Sequence, residues 1–323
     1  IATSIGLGIM QISGGLNHVF QVPNNNITKI SITVLMMIIF IGSGITGLGR
    51  GVKWLSNLNI ILGALLLVFM LIFGDLKFIF ESYTLAIGDY IRHFVEYSLR
   101  IDPYTNNNAW IQQWTVFYWA WVISWSPFIG GFVARVSRGR TIREFIMCVL
   151  IVPPLISFVW ICGFGGMAVK IAMGGDKIAS LVDKDYTVAL FELLSKFPLS
   201  DITSGLAILL IFLFIVTSAD STTHIVAGMA TGGSENPKIK HKVIWGLLIG
   251  AISVAMTIAG GLTSLQTASV VTGLPFSIIL LLMTISIMRA LRREHTKHFQ
   301  MSYVEDDKDY SIPLEKREKD SKT

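Results

Sequence analysis

Four of the eight tryptophans in this 323-residue chain fall within twelve residues, at 114, 119, 121 and 125, in the run Gln113-Trp114-Thr115-Val116-Phe117-Tyr118-Trp119-Ala120-Trp121-Val122-Ile123-Ser124-Trp125-Ser126-Pro127-Phe128. Trp114, Tyr118, Trp121, Trp125, Phe128 and Phe132 are spaced 4, 3, 4, 3 and 4 residues apart, which on a helix is one continuous aromatic face. No acidic residue lies in that run. An aromatic face without a carboxylate suits a quaternary ammonium, which cannot donate a hydrogen bond and is held by ring faces worth about 0.5–2 kcal/mol each. The competing reading is core packing or an interfacial aromatic belt. A belt gathers at one membrane depth, whereas a helix from 114 to 132 advances roughly 27 Å. Pro127 sits inside the same run and removes a backbone donor. Broken helices at mid-membrane mark substrate sites in secondary transporters.

A second constellation is Phe214-Ile215-Val216-Thr217-Ser218-Ala219-Asp220-Ser221, late in an apolar stretch. Hydroxyls and carbonyls there have the oxygen chemistry that Na⁺ requires. The alternative is local: Ser and Thr in helices commonly bond the carbonyl four residues back. Enzyme chemistry has little to stand on. No span carries an HExxH, a GxSxG or paired carboxylates, and Asp220 is alone. The six histidines are scattered, and Cys148 and Cys162 make neither a disulfide framework nor a zinc spacing. A channel is disfavoured as well, since no ring of charge or filter-like repeat is visible.

These groups need elements to hold them, and the composition says which. Hydrophobic residues are 52% of the chain and charged residues 15%, against about 25% charged in soluble domains. The apolar residues come in runs of roughly 18–25, enough to cross a ~30 Å hydrocarbon core as a helix, and lipid admits such a run only with its backbone bonds satisfied internally. About eight spans are expected, near 1–20, 30–49, 58–74, 111–133, 147–168, 205–230, 243–260 and 264–288. Gly6, Gly8, Gly14 and Gly15 in the first would admit a close neighbour. Segment 75–110 mixes Phe, Tyr and Leu with Asp75, Lys77, Glu81, Asp89, Arg92 and Glu96, as an interfacial amphipathic helix does. The charged residues from Arg289 onward predict a solvated, mobile tail.

The net charge of +5 comes from cations at the ends of apolar runs, which points to a bilayer and away from nucleic acid. Arg50 and Lys53, then Arg135, Arg138, Arg140 and Arg143, then Lys238, Lys240 and Lys242, then Arg289, Arg292 and Arg293 occupy alternate connections. That assigns these connections and the C-terminus to the cytoplasm and places 75–110 and 168–204 outside. No repeat is visible by eye. The chain opens Ile1-Ala2-Thr3 inside an apolar run, so the expectation is that its natural start lies upstream.

WTVFYWAW, ISWSPF and ARVSRGRTIREF together resemble the signature helix and following loop of the betaine/choline/carnitine transporters, and ATSIGLGIMQI, LSNLN at 55–59 and TSADS at 217–221 are similar to family segments in the same order. The resemblance covers residues 1 to about 290. It implies an all-α integral membrane protein with a multi-span helical bundle in the five-plus-five inverted-repeat, leucine-transporter-type fold, with about eight of twelve spans in this chain. On that reading 1–74 holds the last three helices of the first repeat, 75–110 an extracellular connecting helix, 111–288 the second repeat, and 289–323 a charged cytoplasmic tail.

The resemblance also implies a multi-pass carrier in the cell membrane, a homotrimer, no cofactor beyond a bound Na⁺, and Thr217, Ser218 and Phe214 as cation ligands. Trp121, Trp125, Phe128, Tyr118 and Val122 would line the substrate site. Two positions depart from the family pattern. Gln113 replaces a small or acidic residue, and Trp121 is followed by Val122 instead of a second tryptophan, which removes one wall of the aromatic box of betaine carriers. A second sodium site of some members uses hydroxyls near the start of this chain, where Ile1 occupies one such place. No Lys or Arg lies inside the expected spans, which favours an ion-coupled carrier over a sodium-independent exchanger. The function expected is uptake of glycine betaine or choline, coupled to Na⁺, for osmoprotection. The alternatives are proline, carnitine or a sulfonium compound on the same fold, or proton-coupled choline uptake.

Overall fold

The computed structural model describes residues 1–45, 49–101, 109–137, 139–234 and 237–310, with the side chains of 43–45, 49–53, 135–136 and 295–310 left aside. Arg138, residues 102–108 of the connecting segment and 311–323 of the tail lie outside the described residues, as do the side chains of Arg50, Lys53 and Arg135.

All described regular structure is helical. Helix α1 (Ala2–Phe20) ends where Gln21 turns left-handed, with Pro23 two residues on. Asn25 accepts the Thr28 N–H as α2 (Asn26–Ile45) begins. Helix α3 (Gly49–Phe73) stops at Gly74, and Asp75 caps α4 (Leu76–Leu99) by accepting the Phe78 N–H. A π-helical turn (Ile111–Val116) opens into α5 (Phe117–Val136). Helix α6 (Ile142–Ile161) begins with a reciprocal Thr141–Glu144 capping box. It runs through a second π-turn, Cys162–Gly166, into α7 (Met167–Met173). Short helices α8 (Ile178–Lys184) and α9 (Ala189–Leu194) flank a 3₁₀ turn at Tyr186–Val188. Helices α10 (Ser200–Ala230) and α11 (Ile239–Tyr310) complete the bundle.

Five described segments are long and apolar enough to cross a membrane: Trp54–Phe73, Ile111–Ala134, Ile142–Met173, Ser200–Ala230 and Ile239–Glu294. Asn26–Gly42 is a shorter apolar helix. The 56 residues of Ile239–Glu294 far exceed one crossing at about 1.5 Å per residue. The helix changes direction at Gly261, whose φ of 55° and ψ of −131° favour glycine. The spans expected near 58–74, 111–133, 147–168, 205–230, 243–260 and 264–288 fall on these five segments; of the other two, 1–20 falls on α1 and 30–49 begins in α2 and runs through 46–48, outside the described residues. The tail differs from expectation: helical backbone continues from Arg289 through Tyr310, because an already formed helix extends through Ala290, Leu291 and a run of Arg and Glu with no Pro or Gly to stop it.

Helix α10 lies at the centre. On one side Ile215, Val216 and Ala219 join Ile5, Ile9, Ile12, Met36 and Phe40 of α1 and α2. On the other, Ala207 joins Leu66 and Met70 of α3, Ile79 of α4, Phe164, Phe191 and Leu194. The α1 glycines make the contact close. A Cβ on Gly8 would sit 1.8 Å from Ile215 Cδ1, and one on Gly15 2.3 Å from the Phe191 ring. Helix α6 is the opposite case, with none of its residues buried and an outer surface of Ile, Leu, Val and Met. A water-filled surroundings would penalise that face; lipid does not.

Between the loops and the bundle, Lys170 pairs with Asp75 and stands 4.6 Å over the Phe78 ring. The ammonium beside it and the Phe78 N–H hold the Asp75 carboxyl below its ordinary range. Tyr186 donates to Met10 Sδ at 3.7 Å, and burial pushes its hydroxyl up to about 12.

The packing of α1 makes a direct expectation. A Cβ on Gly14 would fall 2.1 Å from Thr187 Oγ1 and 2.7 Å from its Cβ, whereas one on Gly63 meets nothing within 4 Å. Gly14→Ala should destabilise the detergent-solubilised protein by about 1–3 kcal/mol through overpacking. Gly63→Ala should be neutral or stabilise by up to about 1 kcal/mol through helix propensity. Thermal unfolding of the two variants decides it; equal transitions would mean that α1 is not held by close packing at Gly14.

Candidate substrate and cation sites

The aromatic face is built on α5, and three neighbours fix it. The step from Trp114 to Tyr118 crosses the end of the π-turn, and ring contacts gather four of the six stripe residues into two groups. Trp114 stacks near Tyr118 (6.4 Å between centroids, 29°), and Tyr118 meets Trp121 edge-on at 5.6 Å. Phe128 packs on Phe276 of α11 at 5.7 Å. Between these groups Trp125 keeps 39% of its surface exposed and Val122 53%. Trp125 is thus the stripe's freest indole. The stripe also has a floor: Phe117 is 1% exposed, and its ring lies parallel to Trp121, 4° from coplanar at 5.7 Å.

The polar atoms around this face are matched pair by pair. Trp121 Nε1 donates to Ser4 Oγ of α1 at 3.1 Å. One residue earlier, the Thr3 hydroxyl pairs with Ser269 of α11 at 3.0 Å in a buried contact. Ser124 bonds the Ala120 carbonyl and meets the Thr272 hydroxyl at 3.2 Å. Gln266 Nε2 donates to the Gln113 carbonyl at 2.7 Å, inside the π-turn. Gly273 lies so near Ala120 that an added Cβ would come within 2.9 Å of its Cβ and 3.1 Å of its Cα. Helices α1, α5 and the second arm of α11 therefore form one seam of hydroxyls and amides with an aromatic surface beside it. Such a seam can present ring faces and indole and phenol groups to a small cation, and it offers no carboxylate.

The cation constellation stands on α10. The Thr217 hydroxyl bonds back to the Leu213 and Phe214 carbonyls, both at 3.0 Å, which is the local habit of helical threonines. It also accepts from Asn59 Nδ2 of α3 at 3.2 Å. The other amide atom, Asn59 Oδ1, is buried without a partner. A buried oxygen left unpaired costs about 1–3 kcal/mol, and this one lies on the residue that meets Thr217. Ser218 is half-buried, and the Phe214 ring is 63% exposed. Asp220 lies one turn further on, in a narrow crevice with Phe40, Thr223 and Lys242. The contacts described place Thr217 against α3 and the aromatic face against α1 and α11. The two constellations share a bundle and occupy separate interfaces.

Phe117, Ser4, Gln266 and Asn59 were not among the sequence candidates. Asn59 had a signal, as an amide inside the apolar run after LSNL. Phe117 had one as well, since it lies four residues before Trp121 in α5, the spacing that brings two side chains together on a helix.

The model of the BCCT, betaine/carnitine/choline family transporter, family matches residues 1–296. The chain is 49% identical over 300 residues to an ectoine/hydroxyectoine transporter of Virgibacillus pantothenticus, covering 92% of this chain and 59% of that protein. It is 43% identical over 296 residues to the glycine betaine transporter OpuD of Bacillus subtilis strain 168, covering 91% and 57%. A glycine betaine/proline/choline transporter of Vibrio parahaemolyticus is 38% identical over 294 residues, covering 91% and 53%. The chain thus spans a little over half the length of these relatives. It belongs to the betaine/carnitine/choline transporter family, a family of membrane transporters and not of enzymes, and it is a multi-pass membrane protein.

The Trp121–Ser4 bond ties α5 to α1 and can be measured. Trp121→Phe keeps a ring over Phe117 and removes the N–H. It should cost about 0.5–1.5 kcal/mol of stability, as should Ser4→Ala. The double variant should be no worse than the poorer single one, since both remove the same bond. Additive losses in thermal unfolding would show that the two residues do not depend on each other.

Proposed function

We propose that this protein is a secondary transporter that imports a small compatible solute carrying a fixed positive charge, glycine betaine or choline in the first instance, with Na⁺ as the coupling ion and osmoprotection as the outcome. One observation carries the reading: an aromatic face on α5, free of carboxylates and partly open at Trp125, sits in a bundle of this family. A methylated ammonium is poorly hydrated and cannot use an acceptor, so ring faces are its natural partners. Tyr118, Trp121, Trp125 and Phe128 supply the faces, and Val122 occupies the gap between them. Relatives named for glycine betaine and choline transport support the class of solute.

In this reading residues 1–74 are the end of a first five-helix repeat, 75–110 the extracellular connecting helix, 111–288 a second repeat, and 289–323 the cytoplasmic tail. The spans are α1, α2, α3, α5, α6, α10 and the two arms of α11, with the bend at Gly261 dividing the last two. Alternating access rocks the second repeat against the first. Na⁺ takes oxygen from Thr217, Ser218 and the Phe214 carbonyl region, and the unpartnered Asn59 oxygen is suited to join them.

A second solute has its own support. The relative at 49% identity is named for ectoine and hydroxyectoine, and Val122 stands where a second indole would narrow the site. Ectoine carries its charge on a flat cyclic amidinium, which needs a broader slot than a rounded trimethylammonium head and can use the room that valine leaves.

Uptake and binding by the full-length carrier test both readings. Trp125→Leu keeps bulk and removes the π-face, so affinity for glycine betaine should fall by about 5–30-fold, equivalent to about 1–2 kcal/mol. Trp125→Phe should fall less. Val122→Trp should tighten glycine betaine and exclude ectoine if the missing wall sets the choice. Identical affinities in all of these variants would mean that the stripe is packing.

Coupling has a separate test. Thr217→Ala with Ser218→Ala, and independently Asn59→Leu, should raise the external Na⁺ needed for half-maximal uptake, because an ion short of oxygen ligands in a dry site is costly. An unchanged Na⁺ dependence would put a proton-driven mechanism first.

A further inference from the structure

We propose that Gln266 is a positioning residue of the transport site: its side-chain amide holds the π-turn at the start of α5 and so sets where the aromatic face points. The inference rests on α5 being the substrate helix, and its test separates the two.

In an unbroken α-helix the Phe117 N–H would close on the Gln113 carbonyl. Here it is directed to the Trp114 carbonyl, and the turn Ile111–Val116 carries one residue more than an α-helix would. The Gln113 carbonyl instead accepts the Gln266 amide at 2.7 Å. Gln266 is 8% exposed, whereas Gln113 is an exposed residue and the bond between them is part-buried. Withdrawing the donor would take away the partner that replaces the Phe117 N–H at the Gln113 carbonyl.

The extra residue matters because α5 is anchored on both sides of it. Ile111 is 6% exposed, and Phe117 and Ala120 are 1% and 8% exposed, with Ala120 locked against Gly273. Closing the turn to α geometry would require a rotation of about 100° between those anchors, the angle that one residue subtends on a helix. Either Ile111 leaves its burial or the Phe117–Trp121 stack slides. The stack lies directly beneath the ring that bonds Ser4, so Trp121 and its neighbours would be displaced from the geometry that a ligand needs. Gln266 does not touch that face. It acts from the second arm of α11, whose Ser269, Thr272 and Gly273 meet Thr3, Ser124 and Ala120 along the same line. Of these contacts from that arm, the Gln266 amide is the one that meets the π-turn.

The experiment uses the full-length carrier, with uptake of glycine betaine and of ectoine and the near-ultraviolet circular dichroism of the purified protein. Gln266→Met keeps length and volume and removes the donor. It should raise the half-saturating solute concentration about tenfold while the maximal rate stays within about twofold, and alter the indole band. Gln266→His retains an N–H at similar reach and should stay within about threefold of the parent. A residue needed only for packing would give the reverse order, with methionine tolerated better than histidine. Should Gln266→Met not reach the membrane, Gln266→Ser, which is polar and too short to reach Gln113, replaces it with the same expectation. Parent-like affinity and an unchanged indole band in the donor-free variant overturn the inference. If the unmodified carrier takes up neither solute, the substrate reading fails instead, and the indole band alone decides: it must change in Gln266→Met and persist in Gln266→His.

Discussion

A hydrocarbon slab offers no water, so every polar group within it must find a partner in the protein. Most features of this bundle follow from that constraint. The hydroxyls of α1 and α11 pair with each other, the Trp121 N–H finds Ser4, and the carbonyl released by a π-turn finds Gln266. Each pairing also fixes the distance and rotation between two helices. Specificity of packing therefore comes from the polar seam, while the small residues beside it set how close the backbones come. Among the described residues two buried side-chain atoms, Asn59 Oδ1 and Thr223 Oγ1, both on or facing α10, have no partner within the protein.

On the function proposed above, the aromatic face is a binding surface made without charge. An acidic residue opposite a quaternary ammonium would need its own desolvation to be offset, and no donor on the ligand could do that. Ring faces attract the same cation at little desolvation cost. The constraint then shifts to orientation, because a ring presents a useful face only along its normal. Trp121 has Phe117 parallel beneath it and a hydrogen bond at its rim, which together fix its normal. Among the described residues Trp125 has neither, and it is more open.

Much of this was legible in the sequence because the signals are one-dimensional. Apolar runs, their terminal cations and the 4-3-4-3-4 aromatic spacing need only a helix to become geometry, and Gly8, Gly14 and Gly15 announced close neighbours without naming them. What stayed hidden depends on non-local or irregular features. The π-turn at Ile111–Val116 breaks the regular spacing just before α5, and nothing in the run announces it. Gln266 sits 153 residues from the carbonyl that it bonds, and nothing in its neighbours advertises that. The helix past Arg289 was missed for a different reason: charge predicts solvation, and a solvated segment without Gly or Pro can remain helical once a long helix leads into it.

Helix α1 links the two constellations. At Gly8 it has no side chain, and Ile215 of α10 fills the space, two residues before Thr217. One turn earlier, at Ser4, it holds the indole of Trp121, and at Thr3 it holds Ser269 of α11. Interiors packed at crystal-like density do not absorb sub-ångström shifts locally. A displacement of α10 at Ile215 must therefore move α1, because no softer element lies between them. The same displacement reaches Ser4 within about 6 Å of helix axis, at 1.5 Å per residue. A change in how α10 sits on α3, where Asn59 meets Thr217, would thus reach the aromatic face by way of α1.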